Sequence, residues 1–294
     1  MGATGSKRAL REEYHLQNVN LGRGAFGNVW RGVHKPTEQL RAIKQIKRGR
    51  DLSDDRIRQE VTLMQRCDCS SIAKVFDIFI EDRAIYVILE YCEGGDLSDK
   101  LREFAGNKEL GSKVPDSRAL QWMTQILTAI AYIHSPGVGI CHRDIKPANF
   151  LLKAPGPDSP LLLADFGIAS PLKPGDFMTS QAGTPAYMAP EMSRGPYAHP
   201  VDVWAAGITA HEIFKGRHPF VRSSGDVDLF AMRQGGMPEG TMVRMVKLFS
   251  ASAAAMLGDT TPKGLLCEAM LRADPRTRVS AAEALQHPFF RDDP

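Results

Sequence analysis

The sequence predicts an α+β chain made of two lobes: a small antiparallel β-rich lobe carrying one helix, then a larger, mostly α-helical lobe. Three observations lead there. Residues 14–47 and 73–90 alternate apolar and polar side chains around turn-forming residues, the period of half-buried strands. Gly94-Gly95 breaks that pattern, and beyond it the apolar residues recur at helical spacing. The length of 294 residues corresponds to about two folding units at roughly 150 residues each.

Taken in order, residues 1–13 read as a flexible polar tail, 14–90 as the N-lobe, 91–96 as a hinge and 97–294 as the C-lobe. In the N-lobe, Val19 and Leu21 lead into a glycine cluster, and Val29 and Val33 follow it. His34-Lys35-Pro36-Thr37 forms a turn before the strand of Leu40, Ala42 and Ile43. Ile57, Val61 and Met64, spaced by four and three, predict a helix over 54–66. Strands are expected at 73–80 and 84–90. In the C-lobe, Leu120, Met123, Ile126, Leu127, Ile130 and Ile133 mark one face of a helix over 117–134. The runs Phe150-Leu151-Leu152 and Leu161-Leu162-Leu163 flank a Pro/Gly-rich loop and predict a small hairpin. Residues 201–214, 263–271 and 281–286 read as helices.

Composition excludes several classes. With 43% hydrophobic and 24% charged residues, usage is that of an ordinary globular protein. Lys plus Arg is 37 and Asp plus Glu 34, a balance of +3, too mild for a nucleic-acid binder. No apolar run reaches the roughly 20 residues of a membrane span. Lys7, Arg8, Arg11, Glu12 and Glu13 stand where a secretory signal needs apolar residues. The 5 cysteines, odd in number and mostly scattered, then read as reduced thiols of a cytoplasmic protein. Cys67-Asp68-Cys69 has no histidine or second pair beside it and does not read as a metal site. Met1-Gly2-Ala3-Thr4-Gly5-Ser6 reads in two ways. It fits a Gly2 myristoylation signal backed by Lys7, Arg8 and Arg11, giving peripheral membrane contact, or it is a chance match in a flexible tail.

The chemistry-bearing residues form an ordered set. Gly22-Arg23-Gly24-Ala25-Phe26-Gly27-Asn28-Val29 is a glycine-rich turn whose flanks favour strands, not the helix a dinucleotide turn must open. A glycine hairpin can lay backbone N–H groups over phosphates without side-chain interference. Lys44, on the next strand, can hold phosphates as a point charge, and Glu60 on the following helix can hold Lys44. Then come Cys141-His142-Arg143-Asp144-Ile145-Lys146-Pro147-Ala148-Asn149, Asp165-Phe166-Gly167, and Gly183-Thr184-Pro185 through Ala189-Pro190-Glu191.

From residue 14 to residue 290 this order resembles the eukaryotic protein kinases, serine/threonine type. The resemblance implies a bilobal kinase fold, with ATP and Mg²⁺ as cofactors and protein substrates. It implies that Asp144 orients the substrate hydroxyl or takes its proton, and that Asn149 and Asp165 hold magnesium. Lys44, paired with Glu60, would hold the α- and β-phosphates, and Lys146 would neutralise the γ-phosphate. Thr184 would support Asp144. Leu21, Gly22, Gly24, Gly27, Val29 and Ala42 would cover the nucleotide. Leu89 would be the gatekeeper, with the Glu90 and Cys92 backbones facing adenine, and Cys92 reads as an inert thiol. Glu191 and Arg278 would form a buried pair, Asp202 would cap catalytic-loop amides, and Met64, Phe76, His142 and Phe166 would stack as an apolar spine.

Regulation and specificity follow from the same likeness. Ser180, four residues before Thr184 and beside Thr179, stands at the activation-segment phosphosite, with Arg143 and Arg56 as the arginines facing it. Asp96 resembles the acid used for a substrate arginine, but Ala148 replaces the second acid, so only mild basophilicity is expected. Ile168 leans toward threonine. Glu90 through Leu97 looks Nek-like, whereas residues 41–90 look closer to calcium-dependent kinases of the calmodulin-kinase group. No EF-hand loop occurs in the chain. The Gly235–Thr261 stretch reads either as a partner-docking insert or as an elaborated loop. The chain is expected to act as a monomer.

Overall fold

A computed structural model of the chain describes residues 9–24, 27–48, 62–65, 67–106, 113–156, 158–193, 195–219 and 259–291. Gly2, Arg56, Glu60 and nearly all of the Gly235–Thr261 stretch lie outside the described residues. The N-lobe is a five-stranded antiparallel sheet of β1 (Tyr14–Gly24), β2 (Gly27–His34), β3 (Gln39–Lys47), β4 (Val75–Ile80) and β5 (Ala84–Glu90), in the order β1-β2-β3-β5-β4. Residues 62–65 are helical.

Register decides what the sheet shows to each side. Lys44 lies opposite Val29 and Val87, and Ala42 lies opposite Leu89. Because side chains alternate along a strand, these residues share the face that looks toward the C-lobe. Ile43 lies opposite Ile88 and faces the other way, where it forms a small core with Tyr14, Phe79 and Leu10. At the start of β2 the backbone meets β3 closely: a Cβ on Gly27 would stand 1.8 Å from the Gln45 carbonyl oxygen, so only glycine fits.

Two expectations are corrected here. Residues 10–13 are not part of a free tail. Leu10–Glu13 forms the short helix α1, and Leu10, 3% exposed, closes the outer core of the sheet. Glu81 accepts from the Leu10 N–H at 3.3 Å, and Lys35 donates to the Arg11 carbonyl at 2.6 Å. Phe76 is not in the apolar spine. It sits at a bulge between Val75 and Asp77, is 44% exposed, and lies under the Arg41 guanidinium at 3.9 Å. The bulge adds one residue to β4 and flips its alternation, so Val75 packs against the inner core instead.

The C-lobe is built on α2 (Leu97–Gly106), α3 (Asp116–His134), α4 (Pro200–Lys215), α5 (Pro262–Met270) and α6 (Ala281–Ala284). In α3 the predicted stripe is buried from Met123 to Ile133, joined by Trp122, with Leu120 half-buried at its edge. In α4 nearly every residue is buried, as expected of a helix apolar all round. Strands β6 (Ile140–Cys141), β7 (Phe150–Leu152), β8 (Leu161–Leu163) and β9 (Ser170–Pro171) form two small ribbons, and β7 with β8 is the predicted hairpin. The lobes are laced together where Ala73 N–H donates to the Leu163 carbonyl at 2.9 Å and Leu163 N–H to that of Ser71 at 2.8 Å.

Candidate active site

A cleft of about 660 Å³ lies between the sheet and the C-lobe. Leu21, Gly22, Val29, Ala42, Leu89, Glu90 and Cys92, read from the sequence as nucleotide cover, gatekeeper and hinge, line it. Gly24 and Gly27 close the β1–β2 hairpin as a residue pair. Sequence reasoning missed Ala73, Val87, Leu151 and Ala164, which complete the apolar walls. Val87 was available from strand alternation once Leu89 faced the cleft. Burial, helped by the charge of Glu90, pushes the Cys92 thiol up to about 12, which disfavours the reactive thiolate.

Asp144 sits in the loop after β6, and both of its carboxylate oxygens are occupied. Thr184 donates to Oδ1 from its hydroxyl at 2.6 Å and from its N–H at 2.9 Å. Lys146 Nζ donates to Oδ2 at 2.7 Å, and Asn149 Nδ2 to the same oxygen at 2.9 Å. Lys146 also donates to Thr184 Oγ1 at 2.7 Å. Burial works to raise the Asp144 pKa, but the Lys146 charge and hydrogen bond, with the Thr184 hydroxyl, outweigh it and hold the carboxyl below its ordinary range. Such a group is a weak base, better suited to orienting a hydroxyl than to removing its proton early.

Opposite stands Asp165, whose Oδ1 accepts from Lys44 Nζ at 3.0 Å. Burial works to raise its pKa, but the Lys44 charge and hydrogen bond, together with the His142 charge, outweigh it and keep the carboxylate ionised. Lys44 is only 5% exposed. Its expected partner Glu60 lies outside the described residues. Asn149 turns its amide nitrogen toward Asp144, leaving its amide oxygen for a cation. An amide oxygen and an ionised carboxylate fit a hard ion such as Mg²⁺.

The loop carrying these groups is held from below. Asp202, 1% exposed at the start of α4, accepts from the His142 and Arg143 N–H groups at 2.7 Å each and from His134 Nε2 at 2.8 Å. Burial works to raise the Asp202 pKa, but the contacts to His134 and His142 outweigh it and hold the carboxyl below its ordinary range. His142 Nδ1 accepts from the Asp144 N–H and Nε2 donates to the Ala164 carbonyl, while its ring meets Phe166 edge-on at 4.8 Å. Both ring nitrogens are used, so His142 is a packing residue. Arg143 (φ 69°) and Asp165 (φ 58°) hold left-handed backbone, strain that the surrounding bonds sustain. Further out, Arg278 grips Glu191 with two bonds of 2.6 and 3.0 Å.

The protein kinase domain model matches residues 15–290 of the sequence. The chain belongs to the protein kinase family. Among its relatives, this kinase is 31% identical over 282 residues to calcium-dependent protein kinase 5 of Plasmodium falciparum (isolate 3D7), covering 96% of this chain and 46% of that protein. It is also 31% identical over 281 residues to serine/threonine-protein kinase H1 of Mus musculus, covering 92% and 59%. The kinase spans about half the length of the curated relatives it matches. Lys146 stands two residues after Asp144 in this chain.

In the activation segment of the kinase, Ser180 is exposed and its hydroxyl accepts from Arg143 Nη1 at 2.9 Å. Thr179 beside it is exposed. Gly183 (φ 122°) brings the chain against the catalytic loop, where a Cβ would lie 2.3 Å from the Arg143 carbonyl oxygen. Asp96 lines the cleft but spends Oδ1 on α2, accepting from Ser98 Oγ at 2.5 Å and the Asp99 N–H at 3.0 Å.

Proposed function

We propose that the chain transfers the γ-phosphoryl group of ATP to serine and threonine hydroxyls of protein substrates. One observation carries the reading: Asp144 is clamped at both carboxylate oxygens, in a cleft where Lys44 and Asp165 face it. Transfer of a phosphoryl group asks for positioning and charge neutralisation more than for covalent help. Asp144 orients the acceptor hydroxyl and receives its proton as the bond to phosphorus forms. Lys146 stands beside it to meet the γ-phosphate, and Lys44 meets the phosphates nearer the nucleoside. Asn149 and Asp165 would hold magnesium, which would neutralise phosphate charge. The purified chain, given Mg-ATP and a threonine peptide, is expected to phosphorylate it, and Asp144→Asn to lose between 10²- and 10⁴-fold in kcat. Equal labelling by both proteins would refute the assignment.

The Arg143–Ser180 contact supports control by phosphorylation. A phosphate on Ser180 adds about −1.5 to −2 charge next to the guanidinium, drawing the segment against the loop that holds Asp144. Arg56 and Glu60 would extend that coupling to the N-lobe helix. Ser180→Ala with Thr179→Ala is expected to block activation by an upstream kinase, and unchanged activation would end this reading. Asp96, half committed to α2, supports a weak preference for a basic residue ahead of the acceptor. Ile168 supports threonine over serine, which a peptide array would read directly. Among the described residues no helix is long and apolar enough to cross a membrane. Acylation of Gly2 would supply peripheral membrane contact to an otherwise cytoplasmic monomer, and mass spectrometry of the mature N-terminus tests it.

A further inference from the structure

Tyr197 lies just before α4, is 2% exposed, and plays no part in any motif of the sequence. It grips the activation segment three times. The Met178 N–H donates to the Tyr197 carbonyl at 2.8 Å, the Tyr197 N–H to the Met178 carbonyl at 2.9 Å, and the Tyr197 hydroxyl to the Ser180 carbonyl at 2.5 Å. Here the segment packs through Met178, 9% exposed, while Phe177 is 67% exposed and Thr179 and Ser180 are exposed. Four residues after Ser180 comes Thr184, which supplies two of the hydrogen bonds that fix Asp144.

We propose that Tyr197 is a positioning residue for phosphoryl transfer, its hydroxyl anchoring the activation segment at Ser180 so that Thr184 is delivered to Asp144. Four residues span at most about 14 Å, so an anchor at one end limits the travel of the other. The phenol suits the task because its ring is fixed by burial and its hydroxyl has to find a buried acceptor. The contact uses the backbone carbonyl of Ser180, whereas Arg143 uses the side-chain hydroxyl. The proposal rests on the phosphotransfer reading but not on phosphorylation of Ser180.

Tyr197→Phe removes the hydroxyl and keeps the ring, and it is made in the parent chain and in Ser180→Ala. In both backgrounds kcat for a threonine peptide is expected to fall about tenfold, the size of one hydrogen bond. The KM for ATP and the melting temperature should hold, and amide exchange across residues 178–184 should quicken. A kcat within twofold of the parent overturns the proposal. So does a loss of kcat matched by a rise in KM for ATP and a lower melting temperature, which marks general damage. If Ser180→Ala is as active as the parent while Tyr197→Phe is still impaired in it, the phosphorylation reading fails and this one stands. If no protein, parent included, labels the peptide, the phosphotransfer reading fails. Amide exchange then decides for Tyr197: faster exchange supports the anchor and unchanged exchange rejects it.

Discussion

The sheet and the catalytic loop present charged groups to one cleft by opposite means. Strand β3 delivers Lys44 through register alone, because pairing with β2 and β5 sets which face each side chain takes. The loop after β6 has no ladder to hold it. Asp144 is placed by Thr184, Lys146 and Asn149, and the loop backbone by the buried carboxylate of Asp202. A sheet spreads its positional information over many equivalent bonds, so one loss is diluted. The loop concentrates it in a few side chains, each of which matters.

The sharpest test of that contrast is Asp202→Ala. It strands the buried His142 N–H, the half-buried Arg143 N–H and the His134 ring, and should cost about 3–5 kcal/mol of stability with a large loss of kcat. Thermal or denaturant unfolding with activity measured in parallel would show it, and a loss under 1 kcal/mol would erase the distinction. On the sheet side, Leu10→Ala removes a buried side chain from the outer core and should cost about 2–3 kcal/mol. Its KM for ATP should stay near the parent value, since the inner face keeps its register. A large rise in KM would show that the two faces are not independent.

A pH series separates the regions further. His199, its ring tilted against that of His134 with centroids 4.7 Å apart, has its pKa lowered to about 4 by burial first and by the His134 charge second. A folded pKa depressed below the unfolded 6.5 gives stability that is present above pH 6.5 and is lost as pH falls toward 4. His199→Asn should flatten the melting temperature across that window, and an unchanged slope would assign it to other groups. The smallest effect is expected at the hinge, where Lys153 meets Glu90 at 2.8 Å with the lysine 54% exposed. Screening by solvent leaves that pair under about 1 kcal/mol, so Lys153→Ala should shift unfolding barely at all.

Much of the site was legible in the order of its motifs. Asp144, Lys146 and Asn149 lie within a few residues of one another, and the chemistry of phosphate and magnesium dictates their types. The strand carrying Lys44 and the β7–β8 hairpin were legible too, since both show as apolar patterning over short runs. The errors came where a local pattern was interrupted or too small to see. The bulge in β4 shifted the alternation by one residue and exchanged Phe76 for Val75. Leu10 is a lone apolar residue within a charged stretch, and one residue has no period.

From the sequence alone came the family, the two-lobed α+β plan and the candidate site groups, because each depends on residue types at short spacing. Folding decided how those groups are held: the Asp202 cradle beneath the catalytic loop, the burial of α1, and the grip of Tyr197 on Ser180. Those contacts join residues 17 to 71 positions apart through single hydrogen bonds. No periodicity links such partners, so only the packed chain can bring them together.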